Sequence, residues 1–253
     1  MILKYNGPLQ MQINAIARVA EHLWAKGWAE RNAGNISVNI TDYIGDDNRT
    51  LPAIQKIPLY YTFPELEGQF YYVTSAGSRM RDLARDPMDQ GIIIRVEAGG
   101  KSIDIIADKD LPPTIELPSH LLMHQFFAHE SIKEGKEVGA GRRVVFHTHP
   151  TELIALSHIK ELQSTQAITK ALYQMHAEVQ MSVPRGLAWV PYEEPGSMEL
   201  ARAGIKDLKD HRFMLWERHG VLGTGSNITE VFDMIDTLNK AAQIYILKHL
   251  LEK

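Results

Sequence analysis

Apolar side chains at Ile13, Ile16, Ala17, Ala20, Leu23 and Trp24 recur with helical spacing, which predicts a helix over about residues 9–26 that Gly27 stops. The period then changes. After the turn Arg31-Asn-Ala-Gly-Asn35, the alternation of Ile36-Ser-Val-Asn-Ile40 predicts a strand. Residues 41–70 are rich in Asp, Pro and other polar types and read as a long connection. A strand resumes at Tyr71-Tyr-Val-Thr74 and ends in Ser75-Ala-Gly-Ser78. Residues 91–96 and 102–106, around Gly99 and Gly100, read as a hairpin on a two-residue turn. Further on, the pattern predicts a helix over 121–130, a strand over 144–149, mostly helix over 153–175, and short strands at 187–190 and 213–216. An amphipathic helix over about 230–251 closes the chain, with Asn227 and Glu230 placed as a capping pair. Helices and strands interleave with at least one hairpin, so one α/β domain over residues 1–253 with a mixed central sheet is expected.

Composition narrows the functions open to such a domain. A chain of 253 residues, 44% hydrophobic, can bury a substantial core. Its net charge of −4 offers no general attraction to nucleic acid or to an anionic membrane, so an anionic ligand needs a local site. No apolar run approaches the roughly 18 residues of a spanning helix, and the opening MILKYNGPLQMQ lacks a signal-peptide core; a cytoplasmic location is expected. Without cysteine there are no disulfides or thiolate ligands, and any zinc must be held by His or carboxylate.

The stretch Arg143-Val-Val-Phe-His-Thr-His-Pro150 raises that possibility. Side chains i and i+2 of a strand share a face, so His147 and His149 could present two imidazoles to one point, and Pro150 places them at the strand's end. On these residues alone the pair reads equally well as half a metal site or as two satisfied histidines. His219 is a third candidate ligand, following a predicted strand and preceding Gly220. His120 and His124, four apart on one helix, could also chelate, but no Glu follows His120 directly and a structural role fits them better. Glu116, at a predicted helix start, reads as a fourth ligand, a general base, or a first-turn carboxylate favoured by the helix dipole.

Two turns could supply the local anion site. In Asn32-Ala-Gly-Asn35, Gly34 tolerates positive φ and two Asn side chains add donors; Ser75-Ala-Gly-Ser78 has similar small, hydroxylic character. Neither matches a Walker or dinucleotide fingerprint, and each also reads as a plain turn.

Taken together and in order, five stretches resemble the zinc-dependent class II sugar-phosphate aldolases of the aldolase, epimerase and adducin superfamily. They are Gly27-Trp-Ala-Glu-Arg-Asn-Ala-Gly-Asn35, Val73-Thr-Ser-Ala-Gly77, Pro113-Thr-Ile-Glu-Leu-Pro-Ser-His120, Val145-Phe-His-Thr-His149 with Leu153-Ile-Ala-Leu156, and His219-Gly-Val-Leu-Gly-Thr-Gly225. Gly-Trp-x-Glu-Arg-Asn and Glu-Leu-Pro-x-His point to the rhamnulose branch. The resemblance implies one domain with a mixed, largely antiparallel sheet flanked by helices. It also implies one Zn²⁺ per subunit on His147, His149 and His219, and a homotetramer with sites at subunit interfaces. The implied reaction is reversible cleavage of L-rhamnulose 1-phosphate, a sugar phosphate, to dihydroxyacetone phosphate and L-lactaldehyde in L-rhamnose degradation.

The same resemblance assigns roles. Glu116 would move the proton at the triose carbon, with a pKa raised by burial, and Glu178 of a neighbouring subunit would serve the C4 oxygen. Asn32, Gly34, Asn35 and Gly77 match phosphate-binding turns. Where the family carries hydroxyls, this chain has Ala76 and Ile115; the adjacent Ser75 and Thr114 could substitute, which leaves the sugar phosphate open. Other members of the superfamily, such as fuculose-phosphate aldolases, ribulose-phosphate 4-epimerases or methylthioribulose-phosphate dehydratases, would keep the histidines. Glu116 favours an aldolase over an epimerase. A cupin also uses His-x-His but requires an all-β barrel, whereas the chain after Pro150 turns helical. Retention of all three histidines and Glu116 speaks against a metal-free adducin-like scaffold.

Overall fold

Ile36 and Val38 face one side of their strand and Ser37 the other, and this division runs through the whole sheet. In the computed structural model, which describes Lys4 and residues 7–107, 109–138 and 141–252, nine strands form one sheet. They are β1 (Asn35–Asn39), β2 (Gln55–Pro58), β3 (Phe70–Thr74), β4 (Gly91–Val96), β5 (Ser102–Ile106), β6 (Val144–Thr148), β7 (Leu187–Val190), β8 (Phe213–Trp216) and β9 (Gly220–Gly225). Their spatial order is β2-β5-β4-β3-β1-β6-β9-β8-β7. Every neighbouring pair is antiparallel except β7 with β8, so the sheet is mixed and largely antiparallel, as expected.

The helices are α1 (Gly7–Ala25), α2 (Asp46–Arg49), α3 (Met80–Leu83), α4 (Leu117–Lys133), α5 (Thr151–Leu156), α6 (Thr165–Met175), α7 (Ala177–Ser182), α8 (Met198–Leu208) and α9 (Ile228–Leu251). The apolar stripe of α1, with parts of α5, α6 and α9, packs on the face carrying Ile36, Val38, Tyr72, Val144 and Phe146. Helices α4 and α8 cover the opposite face, on Tyr71, Val73, Val145, Met214 and Leu222. Covered on both sides, the central strands are buried throughout, which is why they read as apolar runs with few polar breaks.

Several elements differ from the sequence expectation. The polar stretch 41–70 is not only a connection, since it holds α2 and the edge strand β2, whose exposed residues gave no alternation to read. The hairpin of β4 and β5 turns through five residues, with Gly99 and Gly100 both at positive φ. Helix α4 begins four residues before the expected start, with Pro118 in its first turn. Helix α8 and strand β9 carried no assignment from sequence. The glycines of β9 answer a packing demand: a Cβ on Gly223 would lie 2.7 Å from Val231, and one on Gly225 2.6 Å from it. At the last helix Asn227 accepts from the Glu230 N–H at 2.9 Å, but the Glu230 carboxylate turns to Ser226, so half of the capping pair forms.

Candidate metal centre and cleft

Antiparallel pairing brings the start of β1 and the ends of β3 and β6 to one edge of the sheet. Asn35 sits opposite His147 in the β1–β6 register, and Thr74 at the end of β3 accepts a hydrogen bond from the Ile36 N–H. The turn between β8 and β9 carries His219 to the same edge, and Pro150 caps α5 just past His149. There a cleft of about 210 Å³ is lined by Asn32, Gly34, Asn35, Ser75, Gly77, Thr114, Glu116, His147, His149 and His219. Ala33, Ala76, Ile115 and Pro195 complete its wall. Residues from six separate stretches thus share one small volume.

The three imidazoles converge. His147 Nε2 lies 3.1 Å from His149 Nε2 and 3.2 Å from His219 Nε2. Nitrogens bound at about 2.05 Å to a tetrahedral ion would be about 3.3 Å apart, so the spacing fits a divalent metal. The outer ring nitrogens support the same reading. His147 Nδ1 lies 3.1 Å from the Val221 carbonyl and His149 Nδ1 2.8 Å from Glu30 Oε1. Both acceptors take Nδ1–H, which turns the Nε2 of each ring toward the shared point as the atom that would ligate. Burial, reinforced by the neighbouring rings, holds the His147 pKa well below its usual value and that of His219 at about 4, so both are neutral and fit to ligate. The Trp216 ring packs against both, 4.8 and 5.2 Å between centroids, and limits their rotation.

Glu116 occupies the N-cap position of α4 and is only 4% exposed. Its Oε2 accepts a 2.8 Å hydrogen bond from Asn35 Nδ2, and its Oε1 lies 3.6 Å from His219 Nε2. Burial raises its pKa, opposed in part by the Asn35 hydrogen bond. A carboxyl group with a raised pKa beside three metal-competent imidazoles is suited to proton transfer. It is not a fourth member of the ligand cluster, which comprises the three histidines.

Two turns face this centre. Gly34 adopts φ +81°, and a Cβ there would lie 2.9 Å from the His147 carbonyl. Arg31 also holds a left-handed conformation at φ +54°, so the turn carries backbone strain just before Asn32, whereas the glycine at 34 takes its positive φ freely. The second turn is pinned by pairing of Ser75 with Pro113 and by Ala76 N–H donating to Pro112 O at 2.9 Å. The buried Ser75 hydroxyl has no partner among the described residues and lies on the cleft wall. Ile115 stands at the rim, 70% exposed.

Glu178 is exposed on α7 and does not line the cleft of its own chain. Sequence reasoning assigned nothing to Glu30, although it lies in the Gly-Trp-Ala-Glu-Arg-Asn stretch, and missed the contacts that make His120 and His124 part of the site's surroundings. The only signal for the latter was their spacing of four, which reports a shared helix face and not what the face meets.

The family profile for the class II aldolase and adducin N-terminal domain matches residues 14–246. Curated rhamnulose-1-phosphate aldolases are similar over nearly the whole chain. That of Bacteroides thetaiotaomicron is 42% identical over 97% of this chain and 88% of its own, and that of Pectobacterium atrosepticum 32% over 92% and 84%. The crystal structure of a sugar-phosphate aldolase from Thermotoga maritima superposes with a TM-score of 0.82 at 29% identity, covering 98% of both chains. An L-fuculose-1-phosphate aldolase from Thermus thermophilus shares the fold, with a TM-score of 0.61 at 20% identity over 96% of each chain.

Proposed function

This chain belongs to the class II aldolase and adducin N-terminal domain family, and from that premise we propose that it is a lyase that cleaves L-rhamnulose 1-phosphate to dihydroxyacetone phosphate and L-lactaldehyde. The observation that carries the reading is the meeting of His147, His149, His219 and Glu116 in one cleft with the Asn32–Asn35 and Ser75–Gly77 turns.

The residues divide the chemistry among them. His147, His149 and His219 would hold a Zn²⁺ ion, which when bound acts as a Lewis acid toward the substrate's carbonyl and hydroxyl oxygens. Breaking the C3–C4 bond leaves an electron pair on the triose fragment as an enediolate, while the C4 hydroxyl loses its proton and becomes the aldehyde. Glu116, with Oε1 free on the metal side, delivers a proton to C3, and in the synthetic direction removes it. Asn32, Gly34 and Gly77 bind the phosphate together with the unpartnered hydroxyl of Ser75 and with Thr114. Asn35 has a further task, because its side chain is committed to Glu116 and His120.

The acceptor of the C4 hydroxyl proton is Glu178 from a neighbouring subunit, in a homotetramer whose sites lie at the interfaces. Its exposure on α7, outside the lining of its own chain's cleft, leaves it open to a neighbouring subunit and supports this assignment. No helix among the described residues is long and apolar enough to cross a membrane, and we place the enzyme in the cytoplasm. The test is release of dihydroxyacetone phosphate from L-rhamnulose 1-phosphate, with and without chelator. Cleavage that persists after chelation would refute the metal-dependent reading, and no cleavage by metal-loaded enzyme would refute the substrate.

A further inference from the structure

Behind Glu116 runs a line of buried hydrogen bonds that the reaction as described leaves unused. Asn35 Oδ1 lies 2.5 Å from His120 Nε2; His120 Nδ1 lies 2.7 Å from Ser37 Oγ; and Ser37 Oγ lies 2.8 Å from His124 Nε2. Ser37, His120 and His124 are all at most 3% exposed. The line spans two elements: β1 supplies Asn35 and Ser37, while the N-terminal part of α4 supplies both rings, on the helix that Glu116 caps.

The direction of every bond follows from its end. Only the NH₂ of Asn35 can face the Glu116 carboxylate, so Oδ1 must face His120 and accept from Nε2–H. Burial holds the His120 pKa at about 3, so the ring is neutral and its Nδ1 is bare. Ser37 therefore spends its single hydroxyl hydrogen on His120 Nδ1, and its oxygen accepts from His124 Nε2–H. All the donors point toward Glu116, an arrangement in which each bond polarises the next. Among the described residues, Asn35 supplies the only side-chain hydrogen bond to the Glu116 carboxylate.

We propose that His120 is a positioning residue for proton transfer: its Nε2–H locks the Asn35 amide so that Asn35 holds Glu116 Oε2, leaving Oε1 as the oxygen that meets the substrate carbon. Ser37 and His124 set the tautomer that makes His120 a donor at Nε2. Without that donor the Asn35 amide is free to turn, and a flipped amide would set its oxygen against the carboxylate and drive Glu116 off its aim. This inference rests on the reading of Glu116 as the acid–base group.

Isosteric variants separate positioning from packing. Glutamine places an NH₂ near the Nε2 position, whereas asparagine reaches only the Nδ1 position. In His120→Gln, kcat for cleavage should stay within about threefold of the parent. In His120→Asn it should fall about thirtyfold or more, with KM within about twofold and bound metal unchanged, as expected for loss of a hydrogen bond that aligns a charged group. Exchange of the carbon-bound hydrogen of dihydroxyacetone phosphate with deuterated water, followed by NMR, should fall by the same factor, because it reads the proton transfer alone. Equal losses in the two variants, or losses confined to KM or metal content, would overturn the proposal. Should His120→Asn fail to fold, the ¹⁵N shifts of the His120 ring in the parent enzyme decide: protonated Nε2 with bare Nδ1 supports the proposal, and the opposite tautomer overturns it. Glu116→Gln tests the underlying reading separately. Hydrogen exchange that survives in Glu116→Gln would remove Glu116 as the acid–base group, whatever the His120 tautomer.

Discussion

Glu30 Oε1 accepts a 2.8 Å hydrogen bond from His149 Nδ1, so a carboxylate in the turn after α1 sets the tautomer and the aim of an imidazole 119 residues further on. The contact links the Gly-Trp-Ala-Glu-Arg-Asn turn to the candidate metal centre. It is reinforced by two bonds to the Trp28 carbonyl, from His149 N–H at 3.0 Å and Thr148 Oγ1 at 2.8 Å.

Outer partners of metal-binding histidines are worth roughly 10–100-fold in metal affinity. Glu30→Ala is accordingly expected to weaken Zn²⁺ binding within that range, with Glu30→Gln intermediate because an amide oxygen still accepts from Nδ1–H. Competition against a chromophoric chelator measures this directly, and parental affinity in Glu30→Ala would contradict the assignment.

Gly220 is the position where the centre tolerates least change. A Cβ there would lie 2.5 Å from the Thr148 carbonyl, 2.8 Å from His147 Cε1 and 2.9 Å from His149 Cδ2. Gly220→Ala should therefore displace both rings and lower metal affinity by at least about tenfold. Gly77→Ala is the contrast, since φ is +77° but no atom lies within 4 Å of the added methyl. Its cost is the backbone preference alone, about 1 kcal/mol, or a melting temperature lower by about 2–4 °C. Metal titration should find the affinity lowered in Gly220→Ala and parental in Gly77→Ala, whose effect calorimetry should confine to a small loss of stability.

If Glu178 completes the site of a neighbouring subunit, two inactive variants should rescue each other. Glu116→Gln and Glu178→Gln homotetramers are each expected to be strongly impaired. Mixed, unfolded and reassembled at random, they should recover about one quarter of parental activity, because one interface in four then joins an intact Glu116 to an intact Glu178. Activity no greater than the average of the separate variants would place Glu178 outside the site.

Acid should unfold the protein through its buried histidines. The sign follows from His120, which titrates near 6.5 when unfolded and at about 3 when folded. Above pH 6.5 both states are neutral and the linkage term is absent. Below it the unfolded chain binds a proton that the folded chain refuses, so stability falls with pH until about 3. At pH 5 the loss from His120 alone is about 2 kcal/mol, from 1.36 kcal/mol per pKa unit over roughly 1.5 units. Urea midpoints of chelator-treated protein between pH 7.5 and 5 should show this decline, and His120→Gln should lessen it. A midpoint that is flat over that range would contradict the neutral, buried ring.

Much of this was legible in the chain. Helix α1 and its glycine stop, the strands β1, β3, β6, β7 and β8, and the final helix all announce themselves through apolar period, because burial against a neighbouring layer imposes that period. His147 and His149 share a face by strand geometry, which is local and needs no fold to argue. Elements without a one-sided burial pattern stayed hidden. Strand β2 is an exposed edge, and β9 is so rich in glycine, to admit Val231 and the imidazoles, that its sequence resembles a turn.

The sequence by itself determined which residue types were available and which pairs were local: the His-x-His of β6, the Asn-rich and Ser-rich turns, and a chain without thiols. Tertiary structure alone decided that these groups meet. Antiparallel register sets Asn35 opposite His147 and carries His219 across from β8, and the docking of α4 on the sheet buries Glu116 against Asn35 and His120. The physical reason is that ligation, a shifted pKa and a directed hydrogen-bond chain depend on distances of about 3 Å and on exclusion of water. Both are products of strand pairing and layer packing between segments remote in sequence.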